Sequence, residues 1–185
     1  MLNNLKYWLG TFLFKTNASW VANASANGSY ANALTDIEGN SVTSFNKNYN
    51  YINGMGVLGV PVTNYDVGTT LVVGAGGDVA TTDGTFKLTN QITTGINISK
   101  ITSEINFVDG KVRLLINATC TNTTTDTTFN ISEIGIVLKT QFYSSSSTDT
   151  KRDILLDRKS VADGNFTPTT LNAGESKVFV YALEI

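Results

Sequence analysis

The chain reads as all-β, a single antiparallel β-sandwich with an irregular N-terminal arm. Three observations predict it. Charged residues make up only 15% of the chain, against roughly 25% in an average globular protein. Asn, Thr, Ser and Gly take their place, and these residues favour turns and strands over helix. Short β-prone runs recur between Gly- and Asp-containing turns, the spacing of a sandwich. One stretch, Lys111 to Cys120, alternates apolar and polar residues with period two, Leu115 being the single exception, as a half-buried strand does.

Residues 1–55 are assigned to an extended, interface-forming arm and residues 56–185 to the sandwich. A length of 185 residues suits one domain plus such an arm. The apolar stretch from Met1 to Phe14 is far shorter than the roughly 20 residues that cross a bilayer. It lacks the basic start and long apolar core of a secretory leader, although Ala22-Asn23-Ala24 resembles a weak cleavage site. It is therefore expected to dock or bury itself. No helix or strand period runs through residues 15–55, which carry scattered aromatics. Tyr7, Trp8, Phe12, Phe14 and Trp20 are the candidate interface anchors, since large rings dominate contact energetics. The competing reading is that they fill the domain's own core.

Beyond the arm, Val57 to Val62 and Thr69 to Gly74 are short strands, and Gly76-Gly77-Asp78 and Asp83-Gly84 are turns. Gln91 to Ser99 and Lys100 to Val108 are two further strands. Asp109-Gly110 is the strongest hairpin signal in the chain. In the next strand Val112, Leu114, Ile116, Ala118 and Cys120 share one face. Cys120 is the sole cysteine and reads as a small buried hydrophobe. The Thr/Asn run from Thr121 to Thr128 is a loop. Phe129 and Ile131 resume the alternation, and a β-bulge at Glu133 accounts for the phase break before Ile134. Residues 144–153 read as an exposed loop and Ile154 to Arg158 as a strand. Gly174 offers a positive-φ position before the last strand, and Glu175 either accepts a turn amide or faces solvent. Lys177 to Ile185 is apolar on both faces and is expected to lie centrally in a sheet. Arg158 and Glu133 form a possible ion pair beneath a loop.

Chemistry-bearing patterns are incomplete. The chain has no histidine, the commonest general base and transition-metal ligand. Gly74-Ala75-Gly76-Gly77-Asp78 lacks the third glycine of a dinucleotide fingerprint and the Lys-Ser/Thr of a P-loop. Asp36-Ile37-Glu38-Gly39-Asn40 spaces oxygen ligands like a calcium loop, but Lys47 stands where the bidentate Glu is needed. Asp149, Asp153 and Asp157 recur at fours without marking a paired-carboxylate site. No enzyme, catalytic residue, metal or cofactor is expected. Thirteen basic against fifteen acidic residues, net −2, give no electrostatic case for nucleic acid or a membrane.

Three blocks carry a resemblance. The first runs from Tyr65 through Leu71-Val72-Val73-Gly74-Ala75-Gly76-Gly77 to Asp83. The second is Asn130-Ile131-Ser132-Glu133-Ile134-Gly135-Ile136. The third joins Ile154-Leu155-Leu156-Asp157-Arg158 to Thr167 through Tyr181, with Gly174-Glu175-Ser176 near its end. In that order they resemble short tail, head-fibre or decoration proteins of tailed bacteriophages, over roughly residues 65–185. The resemblance implies a β-sandwich, a virion location, and partners that are further copies of the chain and other virion proteins. The alternatives are a secreted or surface adhesin and a carbohydrate-binding module.

Overall fold

The structure is a computed structural model and describes residues 28–45, 68–143 and 149–184. Among these residues there are ten strands and no helix. The protein is all-β, and every pairing whose register is described is antiparallel. The strands are β1 (Gly28–Thr35), β2 (Ser41–Phe45), β3 (Gly68–Gly74), β4 (Ile96–Val108), β5 (Lys111–Asn122), β6 (Phe129–Ile131), β7 (Glu133–Tyr143), β8 (Asp149–Ser160), β9 (Thr169–Leu171) and β10 (Ser176–Glu184). They form sheets of order β1-β2, β10-β5-β4, β3-β7-β8 and β6-β9. The Val57 to Val62 strand and the anchors Tyr7, Trp8, Phe12, Phe14 and Trp20 lie outside the described residues.

The chain divides into two compact units. The first comprises Met1–Thr69, Thr82–Lys87 and Val137–Leu156. Its described part contains the β1-β2 hairpin, regular structure in a segment whose sequence shows no strand period. The hairpin turn is built on the buried Asp36, whose carboxylate accepts the Asn40 amide at 2.7 Å and the Glu38 amide at 3.1 Å. The would-be calcium loop is thus a turn capped by its own carboxylate. Among the described residues no cluster of three or more His, Cys, Asp or Glu side chains could hold a metal.

The second unit comprises Thr70–Thr81, Leu88–Ile136 and Asp157–Ile185. Asp109 and Gly110 have φ of 52° and 75°, the double positive-φ geometry of a tight hairpin turn, and join β4 to β5. Where two strands were expected between Gln91 and Val108, there is one, β4. Gln91 makes only an isolated bridge to Gly74. Ser99 pairs with Thr119 and Thr102 with Asn117, so two residues of β4 face one of β5. That bulge absorbs the phase change that separated the two runs in the sequence.

On β5, Ile116, Ala118 and Cys120 are buried while Leu115, Asn117 and Thr119 are half-buried. Burial pushes the Cys120 thiol up to about 11, which keeps it protonated and unreactive.

Three expectations need correction. The final strand, β10, pairs only with β5 among the described strands and ends its sheet. Phe179, Tyr181 and Leu183 are buried, but Val178 and Val180 are 66% and 60% exposed. An apolar run on both faces does not reveal which face is covered. The strand buried on both faces is β7, central between β3 and β8, with Ile134 to Leu138 all buried. Second, Glu133 is not a bulge. The chain leaves strand at Ser132 because β6 pairs with β9 while β7 enters another sheet. Third, of the loop expected over 144–153, Asp149 to Asp153 belong to β8, and residues 144–148 lie outside the described residues. Strand propensity is weak and context-dependent, so polar residues join a ladder where a neighbouring strand supplies the partners.

A Cβ added at Gly110 would meet nothing within 4 Å, so Gly110→Ala isolates the conformational term. Its expected cost is about 1 kcal/mol, measured by urea unfolding. A cost near zero would show that the turn does not need its positive φ.

Candidate functional site

Among the described residues, the second unit holds a charged pair removed from water. Glu133 opens β7 and Arg158 lies near the end of β8, with side chains 0% and 1% exposed. Arg158 Nη2 lies 2.7 Å from Glu133 Oε2, and Nε donates to the same oxygen at 2.8 Å. The ion pair considered from sequence alone is present.

Its surroundings decide what it can do. Arg158 Nη1 donates to the Val79 carbonyl and to Thr81 Oγ1, each at 2.9 Å. Nη2 donates to the Gly76 carbonyl at 3.1 Å and Thr89 Oγ1 at 3.2 Å. All five N–H bonds of the guanidinium therefore have acceptors. On the carboxylate, Oε1 accepts the amides of Asn90 at 2.8 Å and Gly76 at 3.0 Å, and Oε2 accepts the Thr89 amide at 3.0 Å. With Arg158 included, each oxygen has two donors. Burying charges costs several kcal/mol per ion, and only such complete pairing offsets it. The pair has no remaining bonding capacity for a ligand or a proton transfer.

The glycines of Gly74-Ala75-Gly76-Gly77 follow from this contact. A Cβ at Gly76 would lie 2.6 Å from Thr89 Cβ and 2.8 Å from Glu133 Oε1. One at Gly77 would collide with the Ser132 carbonyl group. The loop amides that would face a phosphate in a nucleotide-binding loop are already engaged. Ala75 N donates to the Asn90 carbonyl at 2.9 Å, Gly76 N to Glu133, and Gly77 N to Ser132 Oγ at 2.9 Å. Glu133 thus acts as the loop's internal anion.

A second layer braces the cluster. Asp163 accepts the Thr81 amide at 2.8 Å and hydroxyl at 2.5 Å, and the Ser160 hydroxyl at 2.7 Å. Burial works against ionising Asp163, but these bonds outweigh it and hold its carboxyl below the usual range. Elsewhere in this unit, Asn122 is buried and donates to the carbonyls of Thr127 at 2.7 Å and Leu171 at 3.0 Å. Its Oδ1 accepts the Thr124 amide at 3.0 Å and hydroxyl at 2.7 Å, so the Thr-rich loop folds around it. Tyr181, fully buried, donates to Asp157 Oδ2 at 2.9 Å. Burial raises the Asp157 carboxyl. Gly174 has φ 72°, and the Asn172 amide donates to Glu175 at 2.8 Å, the turn-amide alternative for that residue. The Asn122 and Tyr181 contacts were not found by sequence reasoning, because nothing distinguishes either residue from its many neighbours of the same kind.

Removing one partner of the buried pair leaves the other uncompensated. Arg158→Met is expected to cost about 3–5 kcal/mol, lowering Tm by about 10 °C. Adding Glu133→Gln should cost less than the sum of the single changes by about 1 kcal/mol or more. Additive losses would show that the two side chains do not act together.

The Asp163 geometry also fixes a pH dependence. Its folded pKa lies below the unfolded value, so its contribution is present above about pH 3.9 and is lost as pH falls through the folded pKa. Asp163→Asn should lower stability at pH 7 by about 1 kcal/mol and flatten the acid limb of stability against pH. An unchanged acid limb would remove the role given to Asp163.

No protein-family model matches this chain, and no curated protein or solved structure matches it.

Proposed function

We propose that the protein is a non-enzymatic structural component of a tailed-bacteriophage virion, acting by assembly with copies of itself and with other virion proteins. A tail, head–tail connector or head-decoration position fits this reading. One observation carries it. All three sequence blocks that resemble short phage tail, head-fibre and decoration proteins contribute residues to the Glu133–Arg158 cluster. Gly76, Val79 and Thr81 come from the first block, Ser132 and Glu133 from the second, and Arg158 from the third. The blocks that carry the resemblance thus contain residues in contact with one another in this chain.

The chemistry of the cluster supports a structural role. A buried ion pair with every donor and acceptor occupied stabilises geometry and offers nothing to a substrate. The finer architecture belongs to the same proposal: one antiparallel β-sandwich spanning residues 56–185, with residues 1–55 as an arm. Tyr7, Trp8, Phe12, Phe14 and Trp20 are its proposed anchors on neighbouring subunits.

Particle composition and gene order test the reading together. The gene is expected beside portal, capsid or tail genes, and mass spectrometry of purified particles is expected to detect the chain. A gene remote from such a module, or particles lacking the protein, would refute the virion assignment.

A further inference from the structure

The two edges of the β10-β5-β4 sheet are built differently. β4 carries Lys100 and Glu104 and is interrupted by the bulge between Ser99 and Thr102. Charges and bulges are the devices by which sheets avoid edge-to-edge pairing. β10 has neither in its centre. From Val178 to Leu183 it contains no charge, proline or glycine. Its nine pairings with β5 run from Ser176–Thr121 to Glu184–Arg113 without a register shift. Among the described strands nothing pairs with its other edge. A straight, apolar, unblunted edge is a template for one more strand.

We infer that β10 is a self-association edge, and that its occupant is β10 of a second copy of this chain, added antiparallel about a two-fold axis through Val180. The inference rests on the assembly reading above and names the surface that performs it. Strand alternation puts Ser176, Val178, Val180, Ala182 and Glu184 on one face, where the apolar Val178 and Val180 are exposed. In the two-fold register Val180 opposes Val180 of the second copy. Val178 opposes Ala182, and Ser176 opposes Glu184. The stripe is complementary to itself, as an isologous contact requires. Charge is complementary in the same pairing. It sets the Lys177 end of each strand against the Glu184 end of the other and directly opposes no like charges.

Sedimentation equilibrium of the full chain tests this, over about 1 to 100 µM, the range of modest protein–protein affinities. The wild type is expected to show a monomer–dimer equilibrium. Val180→Lys places two like charges directly opposite each other and is expected to weaken dimerisation at least tenfold. The side chain is exposed, so the circular dichroism spectrum and Tm should match wild type. Val180→Glu should behave likewise alone, and an equimolar mixture of the Lys and Glu variants should restore the dimer. A wild type that is monomeric throughout, a Val180→Lys dimer as tight as wild type, or a mixture that stays monomeric would each overturn the proposal. Failure of the virion reading is separately visible. A dimer absent from particles keeps the edge and removes the virion, whereas a monomer present in particles does the reverse.

Discussion

Taking a carboxylate and a guanidinium out of water is tolerable only where the protein replaces every lost hydrogen bond. Glu133 and Arg158 impose that condition on the second unit. Two backbone carbonyls and two threonine hydroxyls must converge on Arg158, and three loop amides must converge on Glu133. These groups come from two loop segments that are far in sequence from Glu133 and Arg158. The segments around residues 76–81, 89–90, 132–133 and 158–163 therefore have one mutual arrangement that satisfies the pair. The loop glycines, the Ser132 strand break and the Asp163 brace are consequences of that arrangement.

A polar interior closed in this way leaves the outside to interact. The described surface offers a regular strand edge with two exposed valines, and the buried charges are withheld from any ligand. The assembly proposal takes this outer surface, rather than the closed cluster, as the part that meets other proteins. The sheet's two margins differ. β4 is interrupted and charged, and β10 is smooth and apolar.

Local signals in the sequence were readable because their physics is local. Asp109-Gly110 specifies its hairpin through positive φ, and the alternation from Ile116 to Cys120 specifies a buried face. Sheet membership was not readable. A phase break at Glu133 looks the same whether it is a bulge or a change of sheet, since either shifts the alternation. β10 and β7 are both apolar on two faces, and only their places in a sheet separate the exposed Val180 from the buried Val137. The β1-β2 hairpin is rich in small residues that show no period, and its turn depends on one carboxylate, Asp36. The candidate pair could be named from sequence because Glu133 and Arg158 are opposite charges that each adjoin an apolar strand segment. Its closure could not, because the partners on Gly76, Thr89 and Asn90 are main-chain amides that no side chain advertises.

Native-state hydrogen exchange at those three amides tests the central claim most directly. Gly76, Thr89 and Asn90 lie in loops, where amides ordinarily exchange through small local openings. If the buried pair organises the unit, all three should exchange only with global unfolding, as slowly as the core amides of β5. Exchange at ordinary loop rates, with β5 still protected, would contradict the account.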